Sequence, residues 1–168
     1  MRKASFVSLL IGLALCLAGC TTLPPKQEDV GLRVTAFTQK YGVPTTVTQT
    51  NTGKRLVYRM GPFGEETYFV DANAEGLVVA WQQVLTEENF KKIATGMPLE
   101  EVKNLLGPCS ETHSLARNRG SVCSYRYRNP FCHWFSIEIT AEGVVRSAGY
   151  LPDPTCDDSR FGLFRFGF

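Results

Sequence analysis

Runs of basic residues are missing from this chain, and so are histidine clusters, close cysteine pairs and any apolar stretch of membrane-spanning length. Each gap closes off a class of function. Lys and Arg number 18 against 16 Asp and Glu, scattered along the sequence, so there is no electrostatic footprint for nucleic acid. The two histidines, His113 and His133, fall on expected strands with no carboxylate cluster at ligand spacing, whereas a metal site needs three or four convergent ligands. Without a Cys-x-x-Cys pair, neither a zinc site nor a thioredoxin-like redox centre is indicated. No Gly-x-Ser-x-Gly elbow, phosphate loop or His-Glu-x-x-His motif occurs. Asp71-Ala72-Asn73-Ala74-Glu75-Gly76 mimics the start of a calcium loop, but position twelve is Gln82 rather than the bidentate glutamate required. Adjacent acids such as Glu65-Glu66 and Glu100-Glu101 point to different faces and read as solvated surface. The expectation is a noncatalytic protein without metal or small-molecule cofactor.

What is present begins at the N-terminus. Met1-Arg2-Lys3 precedes an apolar stretch from Phe6 to Leu17, then Ala18-Gly19, the arrangement of a secretory signal. The stretch falls short of the about 20 apolar residues that a spanning helix needs. Leu17-Ala18-Gly19-Cys20 resembles the lipobox of bacterial lipoproteins. That resemblance implies cleavage before Cys20, diacylation of its sulfur and acylation of the new terminus, an anchor of about 0.8 kcal/mol per buried CH₂. Thr21 stands where Asp commonly signals inner-membrane retention, so the expected location is the outer membrane, lipid-anchored and facing the periplasm. Two basic residues leave with the signal, which matches the remaining bases to the 16 acids.

Cys109, Cys123, Cys132 and Cys156 remain after Cys16 is cut away and Cys20 is acylated. Four cysteines in an exported chain imply two disulfides with three possible connectivities. The strand opened by Cys132 and the following antiparallel strand, with its turn at Pro152 and Pro154, bring Cys156 back towards Cys132. That leaves Cys109 with Cys123, which flank one hairpin although simple register does not set them opposite each other.

Apolar spacing and turn residues give the organisation. Residues 1–19 are the signal and 20–29, with Pro24-Pro25, a tether. In 30–84, Val30, Val34, Phe37 and Tyr41 mark one helix face, ended by Gly42. Strands are expected at 45–50, 54–60, 67–71 and 77–84. In 85–156, Thr86 caps a short helix and Pro98 opens a second, with Leu99, Val102, Leu105 and Leu106 as its buried stripe. Strands are expected at 110–116, 122–128, 132–140 and 144–151. Leu56-Val57-Tyr58-Arg59 answers Cys123-Ser124-Tyr125-Arg126, and Ala74-Glu75-Gly76 answers Ala141-Glu142-Gly143, at offsets of 65 to 68 residues. The expected class is α+β, two tandem helix(-helix)-plus-four-strand antiparallel meander repeats. An aromatic tail, 157–168, ends Phe164-Arg165-Phe166-Gly167-Phe168.

The run Ile93-Ala94-Thr95-Gly96-Met97-Pro98-Leu99-Glu100-Glu101-Val102, then Leu105-Leu106-Gly107-Pro108, resembles the SmpA/OmlA/BamE family of outer-membrane lipoproteins. The strand Ser124-Tyr125-Arg126-Tyr127 and the Gly143-Val144-Val145 turn fit the same pattern. The tandem arrangement looks like the beta-lactamase inhibitory protein. The resemblance implies a protein-binding lipoprotein partnered with the outer-membrane assembly machinery and supporting that assembly or envelope integrity. Likeness to the inhibitor implies instead a regulator of a periplasmic enzyme. An envelope hydrolase, the third reading, lacks a catalytic constellation. Large aromatics and Arg favour interfaces, and the expected partner anchors are Tyr125, Tyr127, Trp134, Phe131, Arg126 and Trp81.

Overall fold

The computed structural model of the chain describes residues 23–61 and 64–154. The signal, the Cys20 lipidation site, Cys156 and the tail at 157–168 lie outside the described residues. A 3-10 turn at Gln27–Asp29 leads into α1 (Val34–Tyr41). Strands β1 (Thr46–Thr50), β2 (Gly53–Met60), β3 (Glu66–Asn73) and β4 (Val78–Gln83) follow and form an antiparallel sheet in chain order. Helices α2 (Glu87–Phe90) and α3 (Leu99–Leu106) precede β5 (Glu111–Ser114), β6 (Ser121–Arg126), β7 (His133–Ile139) and β8 (Val145–Pro152). These last four strands form a second antiparallel sheet, again in chain order.

The expected α+β class, in the manner of BamE or the beta-lactamase inhibitory protein, is corrected. Among the described residues the chain is mostly β, two four-stranded sheets with three short helices of eight, four and eight residues. Helices this short do not sustain themselves in water and exist by packing on the sheets. The first apolar spacing overstates its helix for a local reason. Gly31, at φ 93°, breaks the segment after Val30, so α1 starts only at Val34 and Val30 is left exposed.

Alternation along the strands builds two cores. In the first, Leu56, Tyr58 and Met60 of β2 and Tyr68, Val70 and Ala72 of β3 pack with Phe37 of α1. In the second, Cys123 and Tyr125 of β6 and Phe135 and Ile137 of β7 pack against Phe90, Val102 and Leu106. Phe90 stacks on Phe135 with ring centroids 4.3 Å apart. Each large apolar side chain so buried contributes about 1.5–3 kcal/mol.

Backbone irregularities recur between the sheets. Register shifts fall between Asp71 and Ala72 and between Glu138 and Ile139. Opposite each sits a glycine at positive φ, Gly53 and Gly120, where a Cβ would collide with the carbonyl oxygen of Ala72 or Ile139. Only glycine admits that approach.

Cys109 and Cys123 form a disulfide with Cα atoms 5.5 Å apart. Hairpin register sets Cys123 against Thr112, so Cys109 reaches it from the segment joining α3 to β5. The bridge therefore ties the end of α3 to its sheet. Cys132 is disulfide-bonded as well, and its expected partner, Cys156, lies outside the described residues. Such bonds persist in oxidising compartments, so the chain resides outside the cytoplasm.

Candidate functional site

Sheets have two faces, and the helices cover one of each. The fate of the other face differs between the two sheets. On the first sheet it carries Val57 paired with Phe69, and together with Val84 these form a small buried cluster. Sixty-seven residues later the corresponding pair is Ser124 with Ser136, whose hydroxyls hydrogen-bond at 2.9 Å. At this pair of positions the first sheet is apolar where the second is polar.

The end of α3 covers the apolar face. Gly107 caps the helix at φ 80°, its N–H donating to the Lys103 carbonyl. A Cβ on Gly107 would lie 3.0 Å from Thr67 Cγ2 and 3.4 Å from Phe69 Cε1, so glycine is required for packing as well as for backbone conformation. Tyr125 Oη donates to the Gly107 carbonyl at 3.0 Å and holds this turn from the other side. Burial pushes the Tyr125 phenol well above its ordinary range. Arg128 adds a charged link, its Nη2 lying 3.0 Å from Glu66 Oε1 on β3. Tyr68 also donates to Glu66, and burial, followed by that carboxylate, pushes its phenol up to about 12.

Between β1 and α3 the junction stays open as a groove of about 350 Å³. Val57 and Phe69 form its floor, with Gly107 and Pro108 at one end. Thr46, Thr48 and Thr50 make one wall, and Glu100, Lys103 and Asn104 the other. The wall charges are paired within the chain. Arg55 reaches both oxygens of Asp71, Nε to Oδ1 at 2.7 Å and Nη2 to Oδ2 at 2.9 Å. This carboxylate raises the Arg55 pKa above its ordinary value, and the guanidinium also lies 4.7 Å from the Phe69 ring. Lys103 donates to Glu100 at 2.7 Å. What remains for a ligand is hydroxyl, amide and apolar surface, suited to shape and hydrogen-bond recognition.

The six expected anchors are not brought together. Tyr125 and Tyr127 belong to the second core, Tyr127 edge-on to Phe90 at 5.0 Å. Arg126 and Trp134 lie on the opposite face of that sheet and are buried. The Arg126 guanidinium sits 4.8 Å from the Trp134 ring, and its Nε donates to Asp153 at 2.8 Å. Trp81, on β4, donates from Nε1 to the Lys26 carbonyl and meets Tyr68 edge-on. Phe131 alone stands well out, 72 % exposed on the connection between β6 and β7. His113 pairs with Glu111 at 3.3 Å, far in register from His133. In the calcium-loop mimic Asp71 binds Arg55, and Asn73 Oδ1 accepts from the Leu77 N–H. Among the described residues, no group of three or more His, Cys, Asp or Glu is placed to hold a metal.

Sequence reasoning missed the groove, although a signal for it exists. Leu56-Val57-Tyr58 and Tyr68-Phe69-Val70 are unbroken apolar runs, the pattern of strands buried on both faces.

No family model matches the chain, and no curated protein is significantly similar to it. Three chains of known structure are similar to it, two of them as follows. One is an extracellular protein containing an SCP domain from Bacillus anthracis, 14 % identical, covering 82 % of this chain and 50 % of its own, with a TM-score of 0.30. The other is a cysteine-rich secretory protein from Staphylococcus aureus, also 14 % identical, covering 78 % and 47 %, with a TM-score of 0.30. The chain spans about half the length of these structures, and a likeness this low carries no conclusion about activity. The resemblance to SmpA/OmlA/BamE is corrected accordingly. No model of that family matches the chain, and the two similar structures described are an SCP-domain protein and a cysteine-rich secretory protein.

Proposed function

We propose that this chain is a lipid-anchored protein-binding module of the outer membrane, facing the periplasm, where it supports outer-membrane protein assembly or envelope integrity. It acts by binding rather than by catalysis. The observation that carries this reading is the groove at the sheet junction, with an apolar floor, internally paired charges and hydrogen-bonding walls. The lipobox at Cys20 and Thr21 after it support the anchor and its membrane. The disulfides fit the same compartment.

The test is a photoactivatable crosslinker at Asn104, on the exposed groove wall, in cells fed labelled fatty acid. Label incorporated in the unmutated protein and lost in Cys20→Ser, with crosslinks to barrel-assembly components, is the expected result. Crosslinks only to a soluble periplasmic enzyme would replace assembly with regulation. Absence of label at Cys20 would remove the anchor.

A further inference from the structure

We infer that β1 is an open sheet edge that accepts an added strand from a partner protein. The partner segment is extended and uncharged, with apolar side chains at alternate positions, one of which seats in the groove beside α3. This deepens the protein-binding reading above and rests on it.

The edges of the two sheets are not treated alike. At β4, the Gly31 N–H donates to the Val78 carbonyl and the Val78 N–H to the Leu32 carbonyl, so the strand start is covered. At β8, the Gly96 N–H donates to Val145 and the Val145 N–H to Met97, and Pro152 ends the strand. The β5 edge carries charge, with Glu111 Oε1 lying 3.5 Å from Arg126 Nη2. These are the usual devices that stop edge pairing: cover, proline and charge. β1 has none of them. Its sequence, Thr46-Val47-Thr48-Gln49-Thr50, is neutral, free of proline and exposed at all five positions. Among the described residues, no backbone group outside the sheet bonds to it.

The groove gives this edge a preference. Thr46 pairs with Val57 and Thr48 with Arg55, so the alternate threonines share a face with Val57 and Phe69. A strand laid along β1 sends every second side chain to the face that bears the threonines, towards Lys103 and Asn104. Main-chain bonds supply affinity in such additions, and pockets for alternate side chains supply selectivity. Since Arg55 and Lys103 already hold Asp71 and Glu100, a charged partner side chain would find no unmatched charge. An apolar one would pack on the exposed threonine methyl groups of β1 and the half-buried Pro108.

A second copy of the chain fits less well. Two antiparallel β1 strands related by a two-fold axis keep their faces aligned, so the copy would present Thr46, Thr48 and Thr50 to the groove. Its Val47, 51 % exposed, would stay on the opposite face.

The probe is a short synthetic peptide alternating leucine with threonine, titrated into the full mature chain in detergent micelles. An all-threonine peptide and one N-methylated at alternate residues serve as comparisons. Binding of the leucine peptide alone, with slowed amide exchange at Thr46–Thr50, is expected. Thr48→Lys and Asn104→Trp, both at exposed positions and checked for an unchanged melting temperature, should each weaken it at least tenfold. Affinity indifferent to both substitutions, equal binding of the N-methylated peptide, or protection at another edge overturns the inference. So does no binding, or concentration-dependent protection of β1 without peptide, which marks self-association. Crosslinks from Asn104 to assembly components despite a failed peptide would sink strand addition and leave the binding module standing. Peptide binding without such crosslinks would do the reverse.

Discussion

At the scale of the residue, the most constrained charge is remote from the groove. Asp29, fully buried, accepts from the Lys26 N–H at 2.7 Å, Lys40 Nζ at 2.6 Å and Tyr41 Oη at 2.6 Å. Burial alone would raise its pKa, but these three donors together hold it below the ordinary value of 3.8. A depressed carboxylate stabilises the fold fully above its unfolded pKa and loses that contribution as pH falls through the native one. Denaturant midpoints should therefore fall as pH drops below 4 and be flatter in Asp29→Asn, which is less stable at pH 7. Equal slopes for the two proteins would remove Asp29 as the acid-sensitive group. Gly107 is constrained differently, by its positive φ and by Thr67 and Phe69. Gly107→Ala should cost about 1–3 kcal/mol, read as a lower denaturation midpoint.

At the scale of the element, the disulfide between Cys109 and Cys123 closes a loop with a sequence separation of 14. Cys109→Ser with Cys123→Ser should lower stability by about 3 kcal/mol. It should also speed amide exchange at the end of α3 before it does so in β7. Strand positions were legible because period-two alternation and the glycine turns at 76 and 143 mark them directly. The pairing of Cys109 with Cys123 was read from the sequence as well, while its geometry was not, since the link crosses from a loop rather than along the hairpin. Helix weight was overstated because three or four apolar positions at helical spacing do not reveal how few residues the helix holds. The anchors were misplaced for a related reason. Alternation says that Tyr125 and Arg126 face opposite ways, but not that the helices cover the Tyr125 face. Nor does it say that Arg126 is taken by Asp153 and Trp134.

At the scale of the whole molecule, the face bearing Val57 and Phe69 meets the second half of the chain at the Gly107 turn. Phe69→Ala leaves a cavity at the junction and should destabilise by about 3–5 kcal/mol. The expected signature is one cooperative transition at lower temperature, monitored at once through amides of both sheets. Two separated transitions in the unmutated protein would show independent modules. Expression of 20–84 and 85–168 apart should likewise yield poorly dispersed amide spectra for the first piece.

Gly107 lies far downstream of the face it covers, and that distance in sequence becomes a delay in time. An exported chain emerges from its N-terminus, so Val57 and Phe69 leave the cytoplasm well before α3 does. During that interval the nascent first sheet presents a greasy face and a bare, uncharged edge to its surroundings. Those are the two features by which half-made chains stick to one another. The chain is then most in need of a holding chaperone while its latter half is still in transit.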